Sequence, residues 1–211
     1  MFANRFTAFV DACTLASALK RNLLLTLAEA EFFRVRWSEP VLAETQTAIQ
    51  NFFENKGEED AAARAVRART SMETAFEEAM VSDFEKFLSV CEGLPDPNDA
   101  HVVAAAVKTQ AAMIVTDNLK HFPQSVLGRL NIEARSADAF IADTIALDPG
   151  RAVAAIRQMR ERFTKPDMTP EALLLRMESV GLTETVDVLR PHVESLCVCS
   201  VEGQAAARAS L

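Results

Sequence analysis

Apolar positions along the chain fall into two rhythms, short unbroken blocks and helix-spaced stripes, and the two alternate. Phe6, Ala8, Phe9 and Val10 form the first block, closed by Asp11. A stripe of Leu15, Leu19, Leu23 and Leu27 follows at a spacing of four, predicting a helix over residues 15–30. Phe33, Val35 and Trp37 then alternate with Arg34 and Arg36, a strand signal that makes Trp37 a core residue. Ser38 is placed to cap a helix that tolerates Pro40 in its first turn and turns Val41, Leu42, Thr45, Ile49 and Phe52 inward. Glu44 lies beside that stripe, so its carboxylate is either half-exposed surface or aimed into a cleft.

A charged loop over 56–60 precedes an expected helix over 61–79, and Ser82 or Asp83 starts another bearing Phe84, Phe87, Leu88 and Cys91. Gly93 and Pro95 end it. Asn98 or Asp99 caps a helix over 100–110 with an apolar stripe of Val102, Val103, Ala106 and Val107. Met113, Ile114 and Val115 form an uninterrupted block, which suits a strand covered on both faces. Residues 131–135 read as a last strand, and Ser136 caps a helix that Asp148, Pro149 and Gly150 break. Beyond this point no strand signal remains. Helices are expected over 152–163, from Thr169 to Gly181, and from Thr183 to an interruption near Pro191, followed by a small-residue tail over 204–211.

Strands separated by helices predict an α/β fold on a central parallel sheet. The change of character near residue 148 divides the chain into a domain over 1–147 and a helical extension over 148–211. With 211 residues, 49% of them hydrophobic, it can bury a full core without staples. No apolar run reaches the roughly 20 residues of a membrane span. The first ten residues carry Arg5 without a signal-peptide pattern, so the cytoplasm is the expected compartment. Cys13, Cys91, Cys197 and Cys199 match no zinc spacing and read as reduced thiols, with Cys13 and Cys91 as small buried hydrophobes. A net charge of −8 opposes broad nonspecific nucleic-acid binding but leaves room for a local basic groove, for which Arg34, Arg36, Arg64, Arg67, Arg69, Lys108, Lys120 and Arg129 are available.

The candidate chemistry is carboxylate chemistry. Asp11 closes the first strand block, Asp117 closes the Met113–Val115 block, and Asp96 and Asp99 flank the start of the helix between them. Carboxylates at the C-terminal ends of parallel strands occupy the edge where ligands bind in open α/β sheets. With Glu44 they make an oxygen-only set suited to Mg²⁺ or Mn²⁺ rather than zinc. Only six glycines are present, with no phosphate-binding Gly-rich loop, and no Ser-His-Asp arrangement is suggested.

The segments FVDACTL, FRVRWSEPVLAET, LPDPNDAHVVAAAV and IVTDNLKHFP, in that order, resemble the PIN domain family. These are metal-dependent ribonucleases that include the VapC toxins of bacterial toxin–antitoxin pairs, and the resemblance is closest to a branch with a C-terminal helical region. It implies an α/β/α sandwich with a central parallel sheet and Mg²⁺ or Mn²⁺ as cofactor. It also implies an RNA substrate, a small antitoxin protein as inhibitor, and a homodimer. Carried across by motif, Asp11, Glu44 and Asp99 are the first three metal-site acids. Asp96 holds the accompanying acidic position, as a ligand or as a neighbour of one. The fourth position departs from the pattern: His121 stands where relatives often have Asp, and Asp117 is expected to supply the missing charge. His101 reads as packing or hydrogen-bonding near the site. Two other readings compete. One is a catalytically degenerate PIN-like module that binds RNA or protein without cutting. The other is a phosphotransfer or dehalogenase-like enzyme using Asp11 as nucleophile, which usually wants a second acid where Cys13 stands.

Overall fold

The computed structural model describes residues 6–163 and 168–197. Arg5, Cys199 and the tail over 204–211 lie outside the described residues. Among the described residues are five strands: β1 (Thr7–Val10), β2 (Arg34–Ser38), β3 (Met80–Val81), β4 (Met113–Val115) and β5 (Glu133–Arg135). The chain up to residue 136 carries helices α1 (Ala12–Ala16), α2 (Ala18–Glu29), α3 (Glu39–Glu54), α4 (Ala61–Ala75), α5 (Ala100–Lys108) and α6 (Gln124–Leu127). The remainder carries α7 (Ala137–Leu147), α8 (Pro149–Glu161), α9 (Pro170–Ser179) and α10 (Thr183–Leu189).

All strand pairs are parallel, in the order β3-β2-β1-β4-β5. The β1→β2→β3 steps run one way along the sheet and the β3→β4→β5 steps the other. Right-handed crossovers then place α2 and α5 on opposite faces, giving an α/β/α sandwich. Both central strands are sealed on each side: Ala8, Phe9 and Val10 of β1 and Ile114 and Val115 of β4 have no exposed surface. α5 covers β1, β2 and β4, while α2 packs on α7 and α8. Phe140 of α7 meets Phe33 edge-on with ring centroids 4.9 Å apart. The direction reverses between β1 and β4, so the crevice beyond their C-terminal ends is the topological switch point.

The expected strands and most expected helices are observed, with five differences. Residues 15–30 lie in two helices, because Ser17 adopts an extended conformation between α1 and α2. The helix expected over 61–79 stops at Ala75. A 3₁₀ turn (Glu77–Ala79) then leads into β3, whose two residues are too few to show a period. Residues 85–91 form a 3₁₀ segment rather than an α-helix, which leaves Leu88 exposed. Phe52 is also exposed: it sits near the outer end of α3, beyond the core, edge-on to Phe53 and with Lys56 over its ring. Cys13 is not a buried hydrophobe but reaches the surface, whereas Cys91 is buried as expected.

Candidate metal centre

The crevice at the switch point begins with Asp11, the residue that ends β1 and caps α1. Its backbone N–H continues the β1–β4 ladder by donating to Val115 O at 3.0 Å. Its side chain is 7% exposed and accepts from Ala12 N at 2.7 Å, Thr116 Oγ1 at 2.8 Å and Cys13 Sγ at 3.1 Å. A helix cap and a candidate metal-site carboxylate therefore coincide in one residue. Thr116 is the polar end of β4 and has no exposed surface; its hydroxyl also accepts from Asn118 N at 3.0 Å.

Asp96 and Asp99 come from the turn that enters α5. Asp96 caps the 3₁₀ turn Pro97–Asp99 by accepting from Asn98 N at 2.9 Å. Asp99 sits at the N-cap position of α5 but makes no capping bond. Its Oδ2 lies 2.8 Å from His121 Nδ1, and Asn118 Nδ2 lies 2.7 Å from the same nitrogen. One ligand atom from each of Asp96, Asp99 and His121 fits within 4.8 Å of the other two. Glu44, on α3, is the outermost acid, with a side chain 53% exposed, and its Oε1 lies 3.1 Å from His101 Nε2. His101 Nδ1 is buried with no partner. A proton on Nε2 would be donated to Glu44.

Electrostatics tie these acids together. Partial burial pushes the Glu44 carboxyl up, His101 pulls it back, and the charges of Asp11 and Asp99 add to the rise. Burial likewise raises Asp99, His121 opposes it, and Asp11 and Asp96 add to it. Carboxylates that raise one another's pKa are neutralised by a bound cation. Although Cys13 reaches the surface, burial around its sulfur, with the Asp11 charge next, pushes the thiol up to about 11, so without a metal it stays protonated at neutral pH. Carboxylate oxygens with one imidazole and no thiolate fit a hard divalent cation, not a zinc–thiolate site.

Asp117 stands at the edge too, but its oxygens are engaged. Lys20 Nζ donates to Oδ2 at 2.8 Å and Ala137 N to Oδ1 at 3.3 Å, which ties the end of β4 to α2 and to the start of α7. Most of the basic residues considered from sequence are likewise committed elsewhere. Arg64 and Arg67 pair with Asp60, Arg69 with Glu39 and Glu73, and Lys108 bonds Ser82 O. Lys120, beside His121, has no ion-pair partner among the described residues. A cleft of about 620 Å³ opens elsewhere, beside the start of β2; it mixes Arg34, Arg36 and Arg162 with Glu29, Glu31 and Glu78.

Residues 7–120 match the PIN domain family model. The chain belongs to the PIN domain family. Residues 137–191 match a second model, the VapC50 C-terminal domain, which begins with α7. Among curated proteins, a Mycobacterium tuberculosis protein named "Putative ribonuclease VapC50" is 42% identical over 76 residues, which is 36% of this chain and 45% of that protein. The chain thus matches less than half of that relative's length. No solved structure gives a significant match. Membership in the PIN family leaves no support for Asp11 as a covalent nucleophile. No helix among the described residues is long and apolar enough to cross a membrane.

Thr116 and Lys20 are the partners of the candidate acids that sequence reasoning missed. Thr116 had a faint signal, a polar residue directly after a buried strand; Lys20 had none, because its partner is 97 residues away.

Proposed function

We propose that this protein is a cytoplasmic, metal-dependent endoribonuclease of VapC type, the toxin of a toxin–antitoxin pair. One observation carries the reading: Asp96 and Asp99 present donor atoms within 4.8 Å of each other and of His121 at the switch-point edge of a PIN fold, with Asp11 and Glu44 near enough for the acids' charges to act on one another. The Mycobacterium tuberculosis relative, named "Putative ribonuclease VapC50", supports the same class. Asp11, Glu44, Asp96 and Asp99 would hold Mg²⁺ or Mn²⁺, which supplies a water of lowered pKa and stabilises charge on the phosphate.

The chain's own groups keep those acids in place. Thr116 and Ala12 N–H fix the Asp11 carboxylate, and His101 holds Glu44. Asp117, the fourth acid of the sequence reading, would act from behind, anchoring the loop after β4 through Lys20 and α7. Lys120 is the available cation for a flanking phosphate, so Lys120→Ala should raise KM for RNA several-fold with kcat little changed. The reading also carries RNA as substrate, a small antitoxin that covers the acids, and a homodimer.

The deciding experiment is cleavage of RNA by the purified chain with Mn²⁺ or Mg²⁺. Asp11→Asn and Asp99→Asn should each lower the rate by about a hundredfold or more. Wild-type protein as inactive as both variants would end the proposal. A second reading, a PIN module that binds without cutting, draws on the engagement of Asp117 by Lys20. It predicts no calorimetric uptake of Mn²⁺ by these acids.

A further inference from the structure

Four of the groups at this edge are carboxylates of the kind any hard cation accepts. The fifth, His121, is not. It reaches the acids from the 3₁₀ turn Leu119–His121 after β4, while Asp96 and Asp99 arrive from the turn before α5. The three present donor atoms within 4.8 Å of one another. Nδ1 of His121 lies 2.8 Å from Asp99 Oδ2. Donors on adjacent corners of an octahedron with metal–ligand distances of about 2.1 Å are separated by about 3 Å, so this pair is spaced for one ion. No further carboxylate stands in for the imidazole, because Asp117 is paired with Lys20 and accepts from Ala137 N at the start of α7.

We propose that His121 is a nitrogen ligand of the site's cation and makes the site select Mn²⁺ over Mg²⁺. The proposal rests on the metal-dependent nuclease reading and adds the identity of the ion. Mg²⁺ demands oxygen donors and gives up its water reluctantly. First-row transition ions gain from an imidazole, Mn²⁺ least among them and still more than Mg²⁺. Replacing a carboxylate by a neutral ring removes one negative charge, which weakens both ions. Only Mn²⁺ recovers part of that loss through the nitrogen.

The test reads ligation directly. Pulsed electron paramagnetic resonance of Mn²⁺ bound to the full chain should show modulation from a directly coordinated ¹⁴N. His121→Asp should abolish that signal, and His101→Gln should keep it. Calorimetric competition should show the Mn²⁺/Mg²⁺ affinity ratio falling about tenfold in His121→Asp as Mg²⁺ binding improves. The wild-type spectrum is informative even if His121→Asp does not fold. Bound Mn²⁺ without ¹⁴N modulation, modulation lost only in His101→Gln, or an unchanged ratio in a folded His121→Asp would each overturn the proposal. Should RNA still be cleaved in those cases, the nuclease reading survives. Failure of the wild-type chain to bind Mn²⁺ at all, with no cleavage, would remove both.

Discussion

Glu44 and Asp99 carry carboxyls held above their ordinary values of 4.5 and 3.8, chiefly by burial and then by one another's neighbours. Between the unfolded and the folded pKa, the native state binds more protons than the unfolded chain, so these two acids make metal-free stability fall as pH rises. The loss begins near pH 4 and levels off once both are ionised in the folded state. Urea midpoints measured across that range should decline, and Glu44→Gln should flatten the decline; a midpoint that rises instead would contradict the coupling. A second pair of residues separates true core from apparent core. Trp37 is fully buried and Phe52 is 54% exposed. Trp37→Ala should cost about 3–5 kcal/mol in chemical denaturation, and Phe52→Ser within about 0.5 kcal/mol. Trp37 was legible because alternation with arginines marks a strand. Phe52 was misread because helical spacing reports which face a residue occupies, not how far along the helix the core extends. Asp11 and Asp99 were legible as acids at element ends. The partners that orient them were not, since a hydrogen bond across a hundred residues leaves no periodic trace.

Elements joined by local chemistry were the readable ones. Ser136 caps α7 by accepting from Ala139 N at 3.2 Å, Thr169 caps α9, and Gly181 with φ of 81° follows the end of α9. β3 escaped because it pairs through only two residues, and its existence depends on β2 lying alongside. One inter-element device was invisible: buried Asp138 of α7 caps α10, accepting from Thr185 N at 2.8 Å and Glu184 N at 2.9 Å. Burial alone would raise its carboxyl, but the amides of Thr185 and Glu184 and the two threonine hydroxyls outweigh it and leave the carboxyl lowered. Its stabilisation is therefore complete above the ordinary 3.8 and disappears as pH falls through the folded value. Asp138→Ala should destabilise the protein by about 1–3 kcal/mol at neutral pH, since it leaves buried donors unmet. The difference from wild type should shrink in acid, as equilibrium denaturation at both pH values would show.

At the scale of the molecule, the hydrophobic core runs without a gap from Phe9 in β1 to Leu196 beyond α10. We propose that residues 1–147 are the domain that carries the site and that the helical extension after it, described over 148–163 and 168–197, folds with it. Unfolding followed through Trp37, the single tryptophan, should then coincide with unfolding followed by far-UV circular dichroism, which also reports α8 to α10. Separated transitions would mean two independent units. The sheet's margins bear on assembly. On one side stands β3, two residues long. On the other stands β5, where Arg135 is clamped between Glu133 at 2.7 Å and Asp143 at 3.2 Å. A short border and a charged one both discourage strand addition. Two copies of this protein meeting across a dyad would therefore join through helices more readily than by continuing the sheet, and an inhibitor that donated a strand would meet a short border on one side and a charged one on the other.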